Sequence, residues 1–440
     1  MVGMNKENIK SIALFLLVIS SLVLTVMVWS YEPEFSEVET DVERTANIGP
    51  GEPVPFTSVM RAYQLVWVND MDVQGTIEEE AVVGIREYID GTEITDINVY
   101  NSLSRLSPGT DEDGEEEFLI VDYASDMPTK SLFKVLDFEY EGVYPDYSYN
   151  RIIVDLVDEH VTFFLINEDL DRVAVAETDL ESDYLKSLLE DHSDLFEEYS
   201  AVITNQQTSN NKTAIYGPTS PGEMPVETFL YNVVSVEAVN NMLFMDDDYT
   251  MEGGEGIHRY EGEDNIATYN SETYAYSYNN LDESPTGGSN PHQTIQRGFY
   301  FLTSHIGIDQ RHILFDYVTD ENHSIYRSSM NGHFVFSDEV TTTISIKQGE
   351  HGVYEYNRPL IRVNAQVPGE ESRELPPIEN VRYEIALNDN HDLQNVTKIT
   401  IGYNMTFSTE ESEINVVRYT PSWYVKYDGE WMRFDEGSLS

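Results

Sequence analysis

The stretch Ile12-Ala13-Leu14-Phe15-Leu16-Leu17-Val18-Ile19-Ser20-Ser21-Leu22-Val23-Leu24-Thr25-Val26-Met27-Val28-Trp29 carries no charge and separates a stub bearing Lys6 and Lys10 from a long acidic chain. As a helix rising about 1.5 Å per residue it spans roughly 27 Å, close to the hydrocarbon thickness of a bilayer. Beyond it come Glu32, Glu34, Glu37, Glu39, Asp41 and Glu43. Positive charge tends to stay inside, so this asymmetry predicts a cytoplasmic N-terminus and an extracellular position for everything past about Tyr31. A cleaved secretory signal shows the same charge order but ends in small residues. Here the run closes on Val26-Met27-Val28-Trp29-Ser30-Tyr31, which is bulky and favours a retained anchor. Trp29 and Tyr31 suit the outer water interface, where a ring keeps one end apolar and the other wet.

Composition bounds the part outside. The chain has 440 residues, too many for one typical domain, and 40% are hydrophobic, enough for real cores. It has no cysteine, which removes disulfides, thiolate metal sites and cysteine nucleophiles, and suits a bacterial exported protein better than a eukaryotic one. Eighty acidic against 25 basic residues give a formal net charge of -55. Such a surface repels nucleic acid and other polyanions, so a nucleic-acid role is excluded as a general function. Salt shortens the self-repulsion to a range of about 10 Å at 0.1 M and about 3 Å at 1 M, and the acid load reads as adaptation to saline or alkaline surroundings.

The pattern along the chain predicts an α+β fold that becomes β-rich toward the C-terminus. A cytoplasmic stub (1–11) and a membrane helix (12–30) are followed by an extended linker (31–55) containing Gly49-Pro50-Gly51-Glu52-Pro53-Val54-Pro55. Three folded units are expected at 56–203, 213–322 and 323–440, with the polar stretch Thr204 to Lys212 as the first break. In the first unit, Tyr63 to Val68 and Glu117 to Tyr123 read as strands, Glu78 to Ile89 as an amphipathic helix, and Arg151 to Val157 with His160 to Ile166 as a hairpin. Leu180 to Tyr199 reads as the longest soluble helix. Further on, Val236 to Phe244 and His292 to His305 read as helices. Val381 to Leu387, Val396 to Met405, Ile414 to Tyr419 and Trp423 to Tyr427 read as strands.

Motifs for chemistry are absent: no G-x-S-x-G elbow, P-loop or H-E-x-x-H helix occurs. The acidic run Asp111 to Glu117 has its glycine at the fourth place rather than the sixth of a calcium loop, so it reads as a solvated turn. His305 and His312 read as surface or capping residues. No metal, cofactor or catalytic residue is expected. Two candidate surfaces remain. Tyr274, Tyr276 and Tyr278 alternate onto one strand face, which serves either core packing or a stacking platform for cell-wall glycan or peptide. In the membrane run, Ser21 and Thr25 lie one turn apart, with Ser20 adjacent and Leu14, Leu17, Val18 and Val28 near the same face. Small and hydroxylated residues permit close contact with a partner helix, although the hydroxyls can equally bond back to their own helix carbonyls.

The segment Asn5-Lys6-Glu7-Asn8-Ile9-Lys10-Ser11-Ile12, the run ending Trp29-Ser30-Tyr31-Glu32-Pro33, and the length resemble the YycH family of two-component regulatory proteins. Weaker likeness continues through Val121-Asp122-Tyr123, Met127 to Phe133, and Pro421 to Trp431. The resemblance implies a single-pass protein with three extracytoplasmic α+β domains and no enzymatic activity. Its implied partners are a YycI-like companion and a WalK/YycG-like sensor histidine kinase that controls cell-wall metabolism in low-GC Gram-positive bacteria, contacted in part through membrane helices. The acid load and the turn at Asp111 to Glu117 depart from the family pattern.

Overall fold

The computed structural model describes residues 54–440 except 104–105, 112, 168–171, 203–210, 245–248, 255, 286–289, 306, 308–310, 389–390, 408–414, 436–437 and 440, together with Val18 and Ser21. The chain divides into Met1–Thr45 and Ala46–Ser440. Val18 and Ser21 are helical and exposed. The rest of the expected membrane run, including Leu14, Leu17, Ser20, Thr25 and Val28, lies outside the described residues. Among the described residues no helix is long and apolar enough to cross a membrane.

The first sheet contains β1 (Gln64–Asn69), β2 (Asp72–Thr76), β3 (Ile94–Tyr100), β4 (Glu117–Pro128), β5 (Ser148–Asp155), β6 (His160–Ile166), β7 (Val173–Glu181), β8 (Glu197–Val202) and β9 (Ile215–Pro218). Their order is β3-β7-β6-β5-β4-β1-β2-β8-β9. The central strands are apolar at almost every position because both faces are covered. In β4, Phe118 and Ile120 enter one cluster while Leu119 and Val121 enter the other, as a two-residue period requires. The helices Glu79–Ile89, Thr129–Leu136 and Ser182–Asp191 cover the second face, the first through Ala81, Val82, Ile85 and Ile89.

The expected helix Leu180 to Tyr199 is a correction: its helical part is Ser182–Asp191, followed by a short 3-10 turn and then β8. Leu185 and Leu189 continue a helical stripe, but Tyr199 lies flat on Gly75 of β2, where a methyl group would collide with its ring. The β2–β8 pairing thus claims the end of the segment. β8 and β9 flank the expected break at 204–212 and pair with each other from Tyr199↔Pro218 to Val202↔Ile215.

Among the described residues a second sheet has fifteen strands. One arm runs through Ile257–Glu261, Asn265–Asn270, Ala275–Asn280, Val353–Pro359, Thr343–Gln348 and His323–Met330; the other runs through His333–Phe336, Val396–Phe407, Val416–Tyr427, Glu227–Val233 and Ile361–Val367. His312–Val318 pairs with His323–Met330, so strand pairing crosses the expected boundary at 322/323 and the two expected units share one sheet. Val381 to Leu387 is not a strand but part of the helix Ile378–Leu387, whose Ile378, Val381 and Ile385 share a helical face against Trp423. Likewise, the two strands expected between 414 and 427 are one, Val416–Tyr427, despite Pro421. Its partner changes there from Glu227–Val233 to Glu430–Asp435. The Pro421 carbonyl faces that gap and accepts from Arg373 Nη1 at 3.3 Å, so the absent proline N–H falls where no ladder bond is needed.

The two sheets are joined by a common apolar cluster and by buried polar ties. Lys398 Nζ donates to the Ala124 carbonyl at 2.6 Å, and Ser131 Oγ meets His292 Nδ1 at 2.9 Å.

Candidate functional site

Charged groups meet in buried surroundings at two places. The first is the seam around Lys212, where the chain enters β9. Arg151 on β5 grips Asp122 on β4 through Nε to Oδ1 (2.6 Å) and Nη2 to Oδ2 (2.9 Å), while Gln64 Nε2 donates to Oδ2 at 2.9 Å. Arg151 Nη1 also donates to the carbonyls of Lys212 and Ala214, fastening the incoming segment. Burial pushes the guanidinium pKa down, but the charge and hydrogen bonds of Asp122 outweigh it and hold Arg151 charged. Lys212 is itself buried, bonds Thr110 Oγ1 at 2.9 Å, pairs with Glu116 and lies 4.8 Å from the Phe118 ring.

The acidic turn is therefore more than solvated. Glu116 binds Lys212, Glu117 binds Lys186 at 2.6 Å, and Asp111 Oδ1 accepts the backbone N–H of Asp113 and Glu115. Among the described residues no group of His, Asp and Glu is arranged to hold a metal ion.

The second place is a cleft of about 590 Å³ lined by Arg61, Arg311, Arg358 and Arg362. Among the described residues, four arginines meet two carboxylates there, Glu78 and Glu79, in a chain with 80 acidic and 25 basic residues, so the overall charge balance is reversed among those residues. Arg61 is buried and pairs with Glu79, the first residue of the helix Glu79–Ile89, where the peptide dipoles favour a carboxylate. Arg358 is held by neutral oxygens: Nη1 donates to Tyr356 Oη at 3.0 Å and to the Gly307 carbonyl at 3.3 Å. Arg362, on the next strand in sequence, Ile361–Val367, is exposed. Among the described residues neither Arg358 nor Arg362 makes an ion pair.

The cleft is closed beneath by the hairpin tip Asn331-Gly332. Both residues have positive φ (50° and 79°), as a two-residue turn between antiparallel strands requires. A Cβ at Gly332 would stand 2.7 Å from the Ile77 carbonyl, so glycine also permits the tip to dock against the chain leaving β2. Phe229, Met330, Val335, Ile361, Met405 and Tyr419 supply apolar wall. Sequence reasoning passed over these arginines because they are scattered from position 61 to 362. The residues Tyr356 to Gly369 hold two arginines and no Asp or Glu, but longer acid-free runs such as Ser284 to Ile308 occur elsewhere, so nothing local marks the cleft.

Of the two readings of the tyrosine face, Tyr276 and Tyr278 follow core packing. Tyr276 and Tyr278 are 1% and 6% exposed, beneath the helix Val236–Leu243. Tyr276 Oη donates to Asn240 Oδ1 at 2.7 Å and Tyr278 Oη to Asn265 Oδ1 at 2.6 Å. Tyr274 precedes the strand with φ of 54° and packs edge-on against Tyr231 and Phe407. The two strand tyrosines pack inward because the helix claims their face, and no stacking platform is open there. His305 caps the helix Pro291–Ser304, its ring stacked 4.1 Å from Phe301 and its Nδ1 2.7 Å from the Phe301 carbonyl.

Comparison with known proteins adds the family. The model of the YycH protein N-terminal domain matches residues 7–196, and that of the YycH protein C-terminal domain matches residues 212–436. The chain belongs to the YycH family. YycH proteins are regulators in the YycG/WalK two-component system rather than a known enzyme family. The fold is similar to the crystal structure of YycH from Bacillus subtilis, at TM-score 0.67 and 12% identity, covering 88% of this chain and 98% of that one. An uncharacterised protein from Eubacterium rectale aligns at TM-score 0.32 and 9% identity over 55% of this chain and 93% of that one, too loosely to inform the reading. No curated protein matches by sequence. The two YycH domain models leave 197–211 between them, around the break expected from composition.

Proposed function

We propose that this chain is a membrane-anchored, non-enzymatic accessory regulator of a WalK/YycG-like sensor histidine kinase controlling cell-wall metabolism. The observation that carries the reading is the match of both YycH domain models to a chain that opens with an uncharged run of bilayer length. In this reading the N-terminus is cytoplasmic, Ile12 to Trp29 crosses the membrane once, and the rest of the chain folds outside and pairs with a YycI-like companion. The face with Leu14, Leu17, Val18, Ser20, Ser21, Thr25 and Val28 meets the kinase's membrane helices. Regulation then requires that this face bind two states of the kinase unequally, since equal affinity shifts nothing.

The test is the double substitution Ser21→Leu with Thr25→Leu in the full-length protein, expressed with its kinase and companion. Removing an interhelical polar contact worth about 1 kcal/mol should weaken co-purification roughly fivefold and shift kinase output in the same cells. Unchanged co-purification together with unchanged output would overturn the proposed face. Loss of the companion in the same pull-down is not expected, because that contact is assigned to the folded region.

A further inference from the structure

We infer that the arginine-lined cleft is a binding site for a small amphipathic oxyanion, a ligand carrying one carboxylate or phosphate group on an apolar body. Three observations carry this. Arg358 and Arg362 reach the cleft from strands that are consecutive in sequence but lie on different arms of the sheet, and make no ion pair among the described residues, in a chain with more than three carboxylates for each cation. Guanidinium groups present planar forks that match the two oxygens of such anions. Arg358 is also pre-oriented by Tyr356 Oη and by the Gly307 and Pro359 carbonyls, so less rotamer freedom is lost when an anion docks.

The remaining lining sets the size and character of the ligand. A volume of about 590 Å³ lies within the range of small-molecule sites, and apolar side chains such as Phe229, Met405 and Tyr419 face it together with Ser328 and Thr342. A polyanion extending beyond the cleft would meet a protein of net charge -55 and be repelled, whereas a ligand enclosed by the cleft meets the local excess of arginine. The site is thus selective for small anions. It takes part in no step of the proposed membrane-helix contact, so it stands or falls separately from that reading.

The experiment is calorimetric titration of the full-length protein in neutral detergent with three probes: N-acetylphenylalanine as carboxylate, phenyl phosphate as phosphate, and N-acetylphenylalanine amide as the uncharged control. Saturable binding of at least one anion, at least about tenfold tighter than the amide, is expected. The probe that binds tells carboxylate from phosphate. Arg362→Gln, at an exposed position that the fold does not need, should weaken that binding by about tenfold, and Arg358→Gln by at least as much. Arg259→Gln, an exposed arginine outside the cleft, should leave it unchanged. Failure of both anions to saturate, equal binding of anion and amide, or full binding by Arg362→Gln would each overturn the inference.

Discussion

Around Lys212 the cations Arg151, Lys212 and Lys186 are each answered by a carboxylate, whereas in the cleft Glu79 is taken by Arg61, and Arg358 and Arg362 make no ion pair among the described residues. At the seam, Arg151 takes Asp122, Lys212 takes Glu116 and Lys186 takes Glu117. In the cleft, Arg358 rests on neutral oxygens and Arg362 on none. Carboxylates outnumber cations by 80 to 25, so pairing is the default outcome and leaving arginines open requires local removal of acid. Tyr356 to Gly369 achieves this with no Asp or Glu. The seam uses charge to hold two parts of the fold together; the cleft keeps charge available.

A third kind of buried cation sharpens the contrast. Arg327 lies 4.3 Å from the ring centres of both Phe315 and Phe336, and its Nη1 donates to the Val335 carbonyl and Thr342 Oγ1, each at 3.0 Å. Burial pushes its pKa down to about 10, the opposite direction from Arg151. The difference is the carboxylate: attraction to Asp122 offsets desolvation for Arg151, while no carboxylate among the described residues pairs with Arg327 and desolvation prevails.

The largest expected effect follows from breaking the seam on one side only. Asp122→Ala leaves Arg151 buried without its partner and should lower unfolding free energy by about 3–5 kcal/mol, read as a shift of the urea midpoint. Combining Asp122→Leu with Arg151→Met should recover most of that loss; if the double variant is as unstable as the single one, the pair is doing something other than compensating charge.

Acid should act on the other side of the comparison. His333, at the base of the cleft hairpin, is held by burial at a pKa of about 4, against 6.5 for a free imidazole. The unfolded chain therefore takes up a proton first as pH falls. Stability contributed by this group is intact above about pH 6.5 and is lost progressively toward pH 4, on the order of 3 kcal/mol. His305 and His323, also held low by burial, add to the slope in the same direction. Denaturation midpoints measured between pH 7 and 4 should fall less steeply in His333→Asn than in the parent; identical slopes would remove His333 as a contributor.

The smallest effect is expected at Arg327. Arg327→Met removes a desolvated charge along with its hydrogen bonds, and the Val335 carbonyl keeps its bond from Thr342 Oγ1 at 2.9 Å. A loss of no more than about 1 kcal/mol is expected in the same urea assay. A loss matching that of Asp122→Ala would erase the distinction between paired and stacked arginines.

Local pattern reached some of this fold and not the rest, for identifiable reasons. The helix Glu79–Ile89 and the β5–β6 hairpin were legible because each repeats its apolar residues at the period of its own element. Val381 to Leu387 reads as a strand because the helical spacing of Ile378, Val381 and Ile385 shows only when Ile378, next to Pro376-Pro377, is included. The expected helix runs on to Tyr199 because nothing local announces that β2 waits to pair with Glu197 and Glu198. Tyr276 and Tyr278 were correctly placed on one strand face, but which way that face turned depended on the helix Val236–Leu243 lying over it.

What the sequence alone determined is what a short window or a sum can carry: an uncharged run of bilayer length, an excess of acid, a mixture of helical and strand periods, and a polar break before Lys212. The tertiary structure decided which charges meet. Arg61 and Arg362 are about three hundred positions apart, and packing of the two sheets, including the docking of the Asn331-Gly332 hairpin tip against Ile77, brings their elements to one cleft. Periodicity is a property of neighbours along the chain, whereas a binding site is a property of neighbours in space, and long-range strand pairing is what converts one into the other.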